Sequence, residues 1–345
     1  MGKVNVMRQL TFGIDLAKNV FQVHAVDAAG VIVFQQKLRR GQFLAFFQKV
    51  EPSLIGMEAC SAAHHWAREL MAIGHDVKLM VPAYVKPYVK RGKNDALDAE
   101  AICEAVTRPT MRFVPVKSSL QQSILMVHRS RALMVRQRTM LVNALRAHLA
   151  ELGIVAPVGL ERVADLVQRV FTERRDLPEL VYDVVASLVK QIGCLTDEVR
   201  ILEAKIKEWH KNSSVSRRLA TIPGVGVITA TALAATISDP SAFKSGRQLA
   251  AWLGLTPRSN SSGGKERLGR ITKAGDRYLR TLLVVGATAV IRYARQKGGS
   301  PLMEWVRKLL QSKSPRLTSV ALANKMARMA WAVMAHNAVY RPAIA

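Results

Sequence analysis

Short apolar runs separated by turn residues fill the N-terminal third of the chain, the spacing expected of strands. Thr11-Phe12-Gly13-Ile14-Asp15 reads as a buried strand ending in an acid. Val20 to Val26 and Val31 to Gln36 predict the next two strands, with Ala28-Ala29-Gly30 as the turn of a meander. Residues 41–50 read as a helix. Leu54-Ile55-Gly56-Met57-Glu58 predicts a second strand ending in an acid. Ala62 to Ile73 then reads as a helix and Asp76 to Val81 as a strand. A meander followed by alternating helix and strand predicts a mixed α/β sheet of ribonuclease-H-like type over residues 1–112.

The period then lengthens. Residues 118–150 read as a long basic helix, with Leu120, Val127, Met134 and Leu141 at heptad spacing. Leu188, Ile192, Leu195, Val199, Leu202, Ile206 and Trp209 alternate four and three apart, and the seam continues back through Val184 and Leu180. Gly153 and Pro157 mark a turn between the two helices. Residues 113–212 are therefore expected to form an antiparallel coiled-coil arm. An intramolecular helical hairpin and a dimerisation arm bury the same stripe, so both readings fit.

Residues 213–345 predict a mainly α domain. Ile222-Pro223-Gly224-Val225-Gly226 lies between two helical stretches, the signature of a helix–hairpin–helix motif. Gly224 and Gly226 would let backbone N–H groups approach a DNA phosphate, and the next helix would add its positive dipole end. A tight turn between helices requires glycine in any case. Tyr278 to Tyr340 is helical, broken at Gly298–Pro301 and at Ser312–Pro315.

Charge narrows the function. Lys and Arg total 51 against 25 acids among 345 residues, a formal net charge of +26. From Lys211 to Ala345 there are 22 Lys/Arg against 4 Asp/Glu, so this part carries most of the excess. Such a surface fits a polyanion, nucleic acid foremost. Cys60, Cys103 and Cys194 lie far apart with no CxxC pair, which fits a reducing cytoplasm and neither a disulfide framework nor a zinc site. No apolar run reaches the length of a membrane span, so no membrane partner is expected.

Candidate chemistry sits at four acids. Asn94 is a good N-cap, and Asp95 and Asp98, three apart, share a face of the helix it starts. Adjacent carboxylates repel unless a cation lies between them, and hard divalent cations take such oxygen ligands. A solvated acidic first turn, favoured by the helix dipole, is the bland alternative. Asp15 and Glu58 end two strands, where α/β sheets place their sites. Four such acids fit a two-metal phosphoryl-transfer site. A second constellation lies between Gly254 and Lys273, where Ser259, Ser261 and Ser262 are surrounded by Arg258, Lys265, Arg267, Arg270 and Lys273. Guanidinium groups grip phosphate bidentately, and Gly263-Gly264 admits a close backbone. A flexible basic loop is the alternative there.

The pieces GIDLAKN, GMEAC, KRGKNDALDAEAI, IPGVG and LAAWLGLTPRSNSSGGKERLGRITKAGD resemble one family. It comprises the insertion-sequence transposases with an N-terminal DEDD, RuvC-like domain and a C-terminal serine-bearing domain, the one-ten family. HHWAREL and KNDALDAEAICEAVTRP are similar to its one-eleven-eleven subgroup. The Piv/MooV DNA invertases are relatives. The resemblance implies that Asp15, Glu58, Asp95 and Asp98 hold Mg²⁺, or Mn²⁺ in its place. It implies that Ser262, with Ser261 as the neighbouring rival, attacks the scissile phosphate to form a 5′-phosphoserine. It also implies DNA ends and targets chosen by a non-coding guide RNA, and a homo-oligomer, a dimer or a tetramer on DNA, whose complete site combines protomers. Cys60 to His65 replaces a small-residue turn usual in the family, which leaves the surroundings of Glu58 open. Two rivals remain: a metal-dependent nuclease of Holliday-junction-resolvase type in which water attacks, and a non-catalytic DNA- or RNA-binding protein.

Overall fold

The computed structural model describes residues 10–90, 94–172, 177–261, 265, 267–296 and 299–342. The chain divides into two compact units, residues 1–121 and 122–345.

In the first unit, strands β1 (Thr11–Leu16), β2 (Val20–Val26) and β3 (Ile32–Arg39) form the expected meander. Helix α1 (Phe43–Phe47) follows, shorter than the sequence pattern predicts because a 3₁₀ turn takes Arg40–Gln42. Then come β4 (Leu54–Glu58), α2 (Ala63–Ala72), β5 (Asp76–Met80), α3 (Pro82–Val85), α4 (Asp95–Val106) and the two-residue β6 (Phe113–Val114). The sheet order is β3-β2-β1-β4-β5-β6. β4 lies parallel to β1 and to β5, and the other pairings are antiparallel. This is the mixed α/β sheet expected.

The two-residue period of a strand explains the layers. On β1, Phe12 and Ile14 turn to one face, where Phe21, Phe43, Phe47 and Trp66 pack edge to face around them. Gly13 and Asp15 turn to the other face, which α4 covers. The approach there is close: a Cβ on Gly13 would lie 2.1 Å from the Ala99 carbonyl oxygen and 2.4 Å from the Cys103 nitrogen. Only hydrogen at this position lets α4 rest on β1. Gly56 on the neighbouring strand meets Val106 in the same way.

In the second unit, α5 (Ser119–Ala150), α6 (Val163–Phe171) and α7 (Glu179–Asn212) precede α8 (Ser214–Leu219), α9 (Val227–Thr236) and α10 (Gly246–Trp252). Strands β7 (Pro257–Ser259) and β8 (Leu268–Ile271) pair as a hairpin, followed by α11 (Arg277–Gln296), α12 (Pro301–Ser312) and α13 (Pro315–Ala335). α5 and α7 run antiparallel. Arg131 pairs with Glu203, Arg138 donates to the Thr196 hydroxyl, and Leu145 and Leu149 cluster with Val185 and Ile192. On α7 the buried positions are Val185, Ile192, Val199 and Ile206, seven apart, while Leu188, Leu195 and Leu202 are only half-buried. On α5 the buried stripe is Ile124, Leu125, His128, Val142, Leu145 and Leu149, not the Leu120 register, and Leu120 is exposed. His128, on the helix that reads as basic, is buried, its ring bonded to the Tyr278 hydroxyl and the Thr231 hydroxyl. Burial pulls its pKa down to about 4, so it is neutral. The remaining helices close around Leu219, Leu249, Leu283, Leu322 and Met326.

Candidate functional site

The acidic site is built by three local devices. Asn94, the N-cap of α4, accepts a hydrogen bond from the Ala96 nitrogen at 3.1 Å and so fixes where the helix starts. That start places Asp95 and Asp98 in the first turn. The Gly13 contact then sets α4 on β1, so the first turn lies over the end of the strand, where Asp15 turns to the same face. Carboxylate oxygens of Asp15, Asp95 and Asp98 fall within 4.8 Å of one another. Glu58 lies outside that set. It ends β4, one step beyond the Ile14–Met57 pair of the parallel register, and so neighbours Asp15.

The electrostatics agree with the geometry. Burial, then the charges of Asp98 and Asp95, hold the Asp15 carboxyl above its ordinary range. Burial, then Asp15 and Asp98, do the same to Glu58. The carboxylates repel one another, and among the described residues no cation offsets that repulsion at Asp15 or Glu58. Oxygen donors held together against their own repulsion fit a hard divalent cation. His64 and His65 face away from this chemistry: the His64 ring accepts from the Lys117 nitrogen, and His65 lies 3.7 Å from Glu69.

The serine segment is ordered at its base. The Asn260 nitrogen donates to the Arg267 carbonyl at 2.8 Å, and the Thr272 nitrogen to that of Thr256 at 2.9 Å. Arg280 was not singled out by the sequence pattern, since one more Arg in a basic helix carries no signal. Its guanidinium donates to the carbonyls of Leu253 and Ala274, both at 2.9 Å, and ties the hairpin to α11. Gly254 and Gly275 make this tie possible: a Cβ on either would lie within 2.2 Å of a backbone oxygen across the base. Arg258, Lys265, Arg267, Arg270 and Lys273 are all exposed. The Ser261 hydroxyl accepts from the Arg267 nitrogen at 3.2 Å and from the Ser259 hydroxyl at 2.9 Å. Ser262, Gly263 and Gly264 lie outside the described residues.

The turn between α8 and α9 divides its two glycines. Gly224, at φ +86°, packs inward, where a Cβ would strike Val290, Met326 and the Gly286 carbonyl. Gly226 leads into α9 with open space where its Cβ would be.

Residues 12–154 match the model of a DEDD transposase family, and residues 216–299 match that of the transposase IS116/IS110/IS902 family. Over 99% of its length the chain is 47% identical to a Sinorhizobium fredii protein named “Putative transposase y4pF/y4sB”, covering 88% of it. The chain belongs to the IS110/IS116/IS902 transposases. The transposase of insertion element IS1328 of Yersinia enterocolitica is 38% identical to it, over 95% of this chain and 97% of that one. That of IS1111A of Coxiella burnetii is 35% identical, over 95% and 90%. In this transposase the acidic cluster lies within the first matched region, and the helical turn and the hairpin lie within the second. Among the described residues, no helix is long and apolar enough to cross a membrane.

Proposed function

We propose that this transposase cuts and rejoins the DNA of an insertion element through a phosphoserine intermediate. The observation that carries the metal half of this reading is the convergence of Asp15, Asp95 and Asp98 within 4.8 Å, with burial and mutual repulsion raising the Asp15 carboxyl. Asp15, Asp95, Asp98 and the neighbouring Glu58 would hold Mg²⁺, with Mn²⁺ as a substitute. A bound divalent cation would supply Lewis-acid stabilisation of the charge that develops at phosphorus.

The chain's own residues do the rest. The Ser262 Oγ forms a bond to the scissile phosphorus as the P–O3′ bond breaks, leaving a free 3′-hydroxyl and a 5′-phosphate ester on the serine. The serine proton leaves to solvent, and the departing 3′ oxygen takes one up from solvent. Attack of a 3′-hydroxyl on that ester rejoins the strand and frees the serine. Ser261 is the weaker candidate, because its hydroxyl already accepts two hydrogen bonds inside the hairpin. Arg258, Lys265, Arg267, Arg270 and Lys273 project from the hairpin and would hold phosphates. Gly226 has the open space for a backbone N–H to reach phosphate, whereas Gly224 serves packing. The charge of residues 211–345 and the family resemblance support a non-coding guide RNA as a further partner. The half-buried row Leu188, Leu195 and Leu202 supports self-association through α7.

The test is a covalent protein–DNA adduct surviving denaturation. Wild type with Mg²⁺ should yield it, mapped by mass spectrometry to Ser262. Ser262→Ala should bind DNA and yield none. Full recombination by the Ser261→Ala, Ser262→Ala double variant would remove serine catalysis and leave water attack.

A further inference from the structure

A cavity of about 570 Å³ opens in the first unit, between the C-terminal half of α4, the turn after β2 and the segment around Tyr88. Its volume lies within the range of small-ligand sites. The acidic cluster occupies the first turn of α4, and the cavity is flanked by later residues of the same helix, Glu100 and Glu104 among them. At 1.5 Å per residue, Glu104 stands about 9 Å along the axis from Asp98.

Two features of the lining are unusual. In a chain of net charge +26 the described residues at the edge of this cavity include three carboxylates, Asp27, Glu100 and Glu104, against two cations, Lys90 and Arg108. Both cations are taken up in ion pairs, Lys90 with Glu100 and Arg108 with Glu104. Such an edge repels phosphate and favours a group offering N–H donors. The second feature is His24, which lines the cavity from β2, is 2% exposed, and has a buried Nδ1 without a hydrogen-bond partner. A buried polar atom left unpaired costs stability, and beside open space it takes a water or a ligand as its partner.

We propose that this cavity takes one unstacked guanine of a nucleic-acid strand, its N1–H and N2 amino group donating to the carboxylates of Glu100 and Glu104. Guanine alone among the bases offers two adjacent donors on one edge and acceptors, O6 and N7, on the rest. Each donor meets one carboxylate, which still has an oxygen outside its ion pair. With its proton on Nδ1, the His24 imidazole donates to one of these acceptors and gains the partner it lacks. Adenine lacks the N1–H, and cytosine offers only its amino group. The inference rests on the reading of this unit as one that handles a strand at the acidic cluster. It adds base readout a short distance from that cluster.

The experiment uses the full chain, a chelator, and a short fluorescein-labelled oligothymidylate with or without one central guanine. Fluorescence anisotropy should report about ten-fold tighter binding with the guanine, the discrimination of a good bidentate base contact. Inosine, which lacks the N2 amino group, should lose most of it. Glu100→Gln and Glu104→Gln replace partly exposed carboxylates and should remove the preference while binding of plain oligothymidylate persists. A parallel oligouridylate series with one riboguanosine tells an RNA source from a DNA source, and preference in either supports the pocket. Equal binding of guanine and thymine strands, or a preference unchanged in both Gln variants, overturns it. So does displacement of the guanine strand by an arginine-rich peptide but not by guanosine monophosphate. Asp98→Asn separates the two readings. If it cleaves like wild type and still prefers guanine, the metal reading fails and the pocket stands. If wild type cleaves without any guanine preference, the pocket fails and the metal reading stands.

Discussion

The acidic cluster and the serine hairpin solve opposite problems. The cluster gathers like charges that repel, so the fold must force them together. It does so with rigid parts: an N-cap that fixes the start of α4, a parallel strand pair, and a glycine that removes the only atoms separating helix from strand. The hairpin carries cations that are exposed and spread along two short strands. Its base is fixed by Arg280 and the two glycines at φ +71°. In the proposed reaction, electrostatic catalysis would require groups held before the reaction begins, the part the cluster would play. A nucleophile delivered to a long polyanion would require a fixed root, the part the base of the hairpin would play.

Removing one carboxylate from the cluster should have the largest effect. Asp98→Asn keeps the shape of the first turn and removes a negative charge from it. Strand cleavage should fall by on the order of 10³-fold or more, as when a preorganised charge at a reacting centre is lost. RNA and DNA binding should stay near wild type. Normal recombination by Asp98→Asn with Mg²⁺ present would refute a metal role for the cluster.

The arm offers the next effect. Leu195→Asp with Leu202→Asp puts charge into the half-buried row of α7, leaving Val199 and Ile206 in place. The proposed α7 oligomer should dissociate to monomers by light scattering. Unchanged mass in a variant with wild-type circular dichroism would refute self-association through α7.

Gly13→Ala asks whether close approach positions the cluster. The added methyl would lie 2.1 Å from the Ala99 oxygen, so α4 must lift. Overpacking of this kind costs about 1–3 kcal/mol. Mg²⁺-dependent stabilisation, read by calorimetry, should weaken together with cleavage. If thermal stability and the Mg²⁺ response are both unchanged, the helix has room the contact denies.

Much of this was legible in the sequence, and the parts that were not have a common cause. β2 and β4 match their predicted bounds because alternation and turn residues are local signals. Asp15, Glu58, Asp95 and Asp98 were readable as candidates because strand ends and the N-cap are local signals, whereas the closer grouping of Asp15, Asp95 and Asp98 depends on how α4 rests on β1. The hairpin was open between loop and structure, since β7 and β8 are short, polar and exposed, with no apolar face to betray them. α6 went unseen in the segment that read as a turn. The stripe on α5 was misplaced because His128 is buried through its bonds to Tyr278 and Thr231, and no hydrophobic count reveals a satisfied histidine. Gly224 looked like Gly226, and only the helix packed behind it separates their roles.

The smallest effect concerns proton linkage in the cation-free protein. Asp15 and Glu58 have folded-state pKa values raised above 3.8 and 4.5, by burial first and by neighbouring carboxylates next. A raised carboxyl binds its proton more tightly folded than unfolded. At a pH above the raised values both groups are charged in both states, and the folded form bears the full repulsion. As pH falls through the raised values toward the ordinary ones, the folded protein takes up protons first and gains stability. Asp15→Asn removes both the titration and the repulsion. In a chelator at neutral pH it should therefore melt above wild type, by an amount worth about 1 kcal/mol or less, because both groups are half exposed and solvent screens them. The gap should close as pH is lowered into the ordinary carboxylate range. Saturating Mg²⁺ at neutral pH should reverse the order, because a cation bound only by the folded cluster stabilises wild type alone. A gap that is independent of pH, or one that Mg²⁺ leaves unchanged, would mean that the carboxylates are relieved by solvent rather than by an ion.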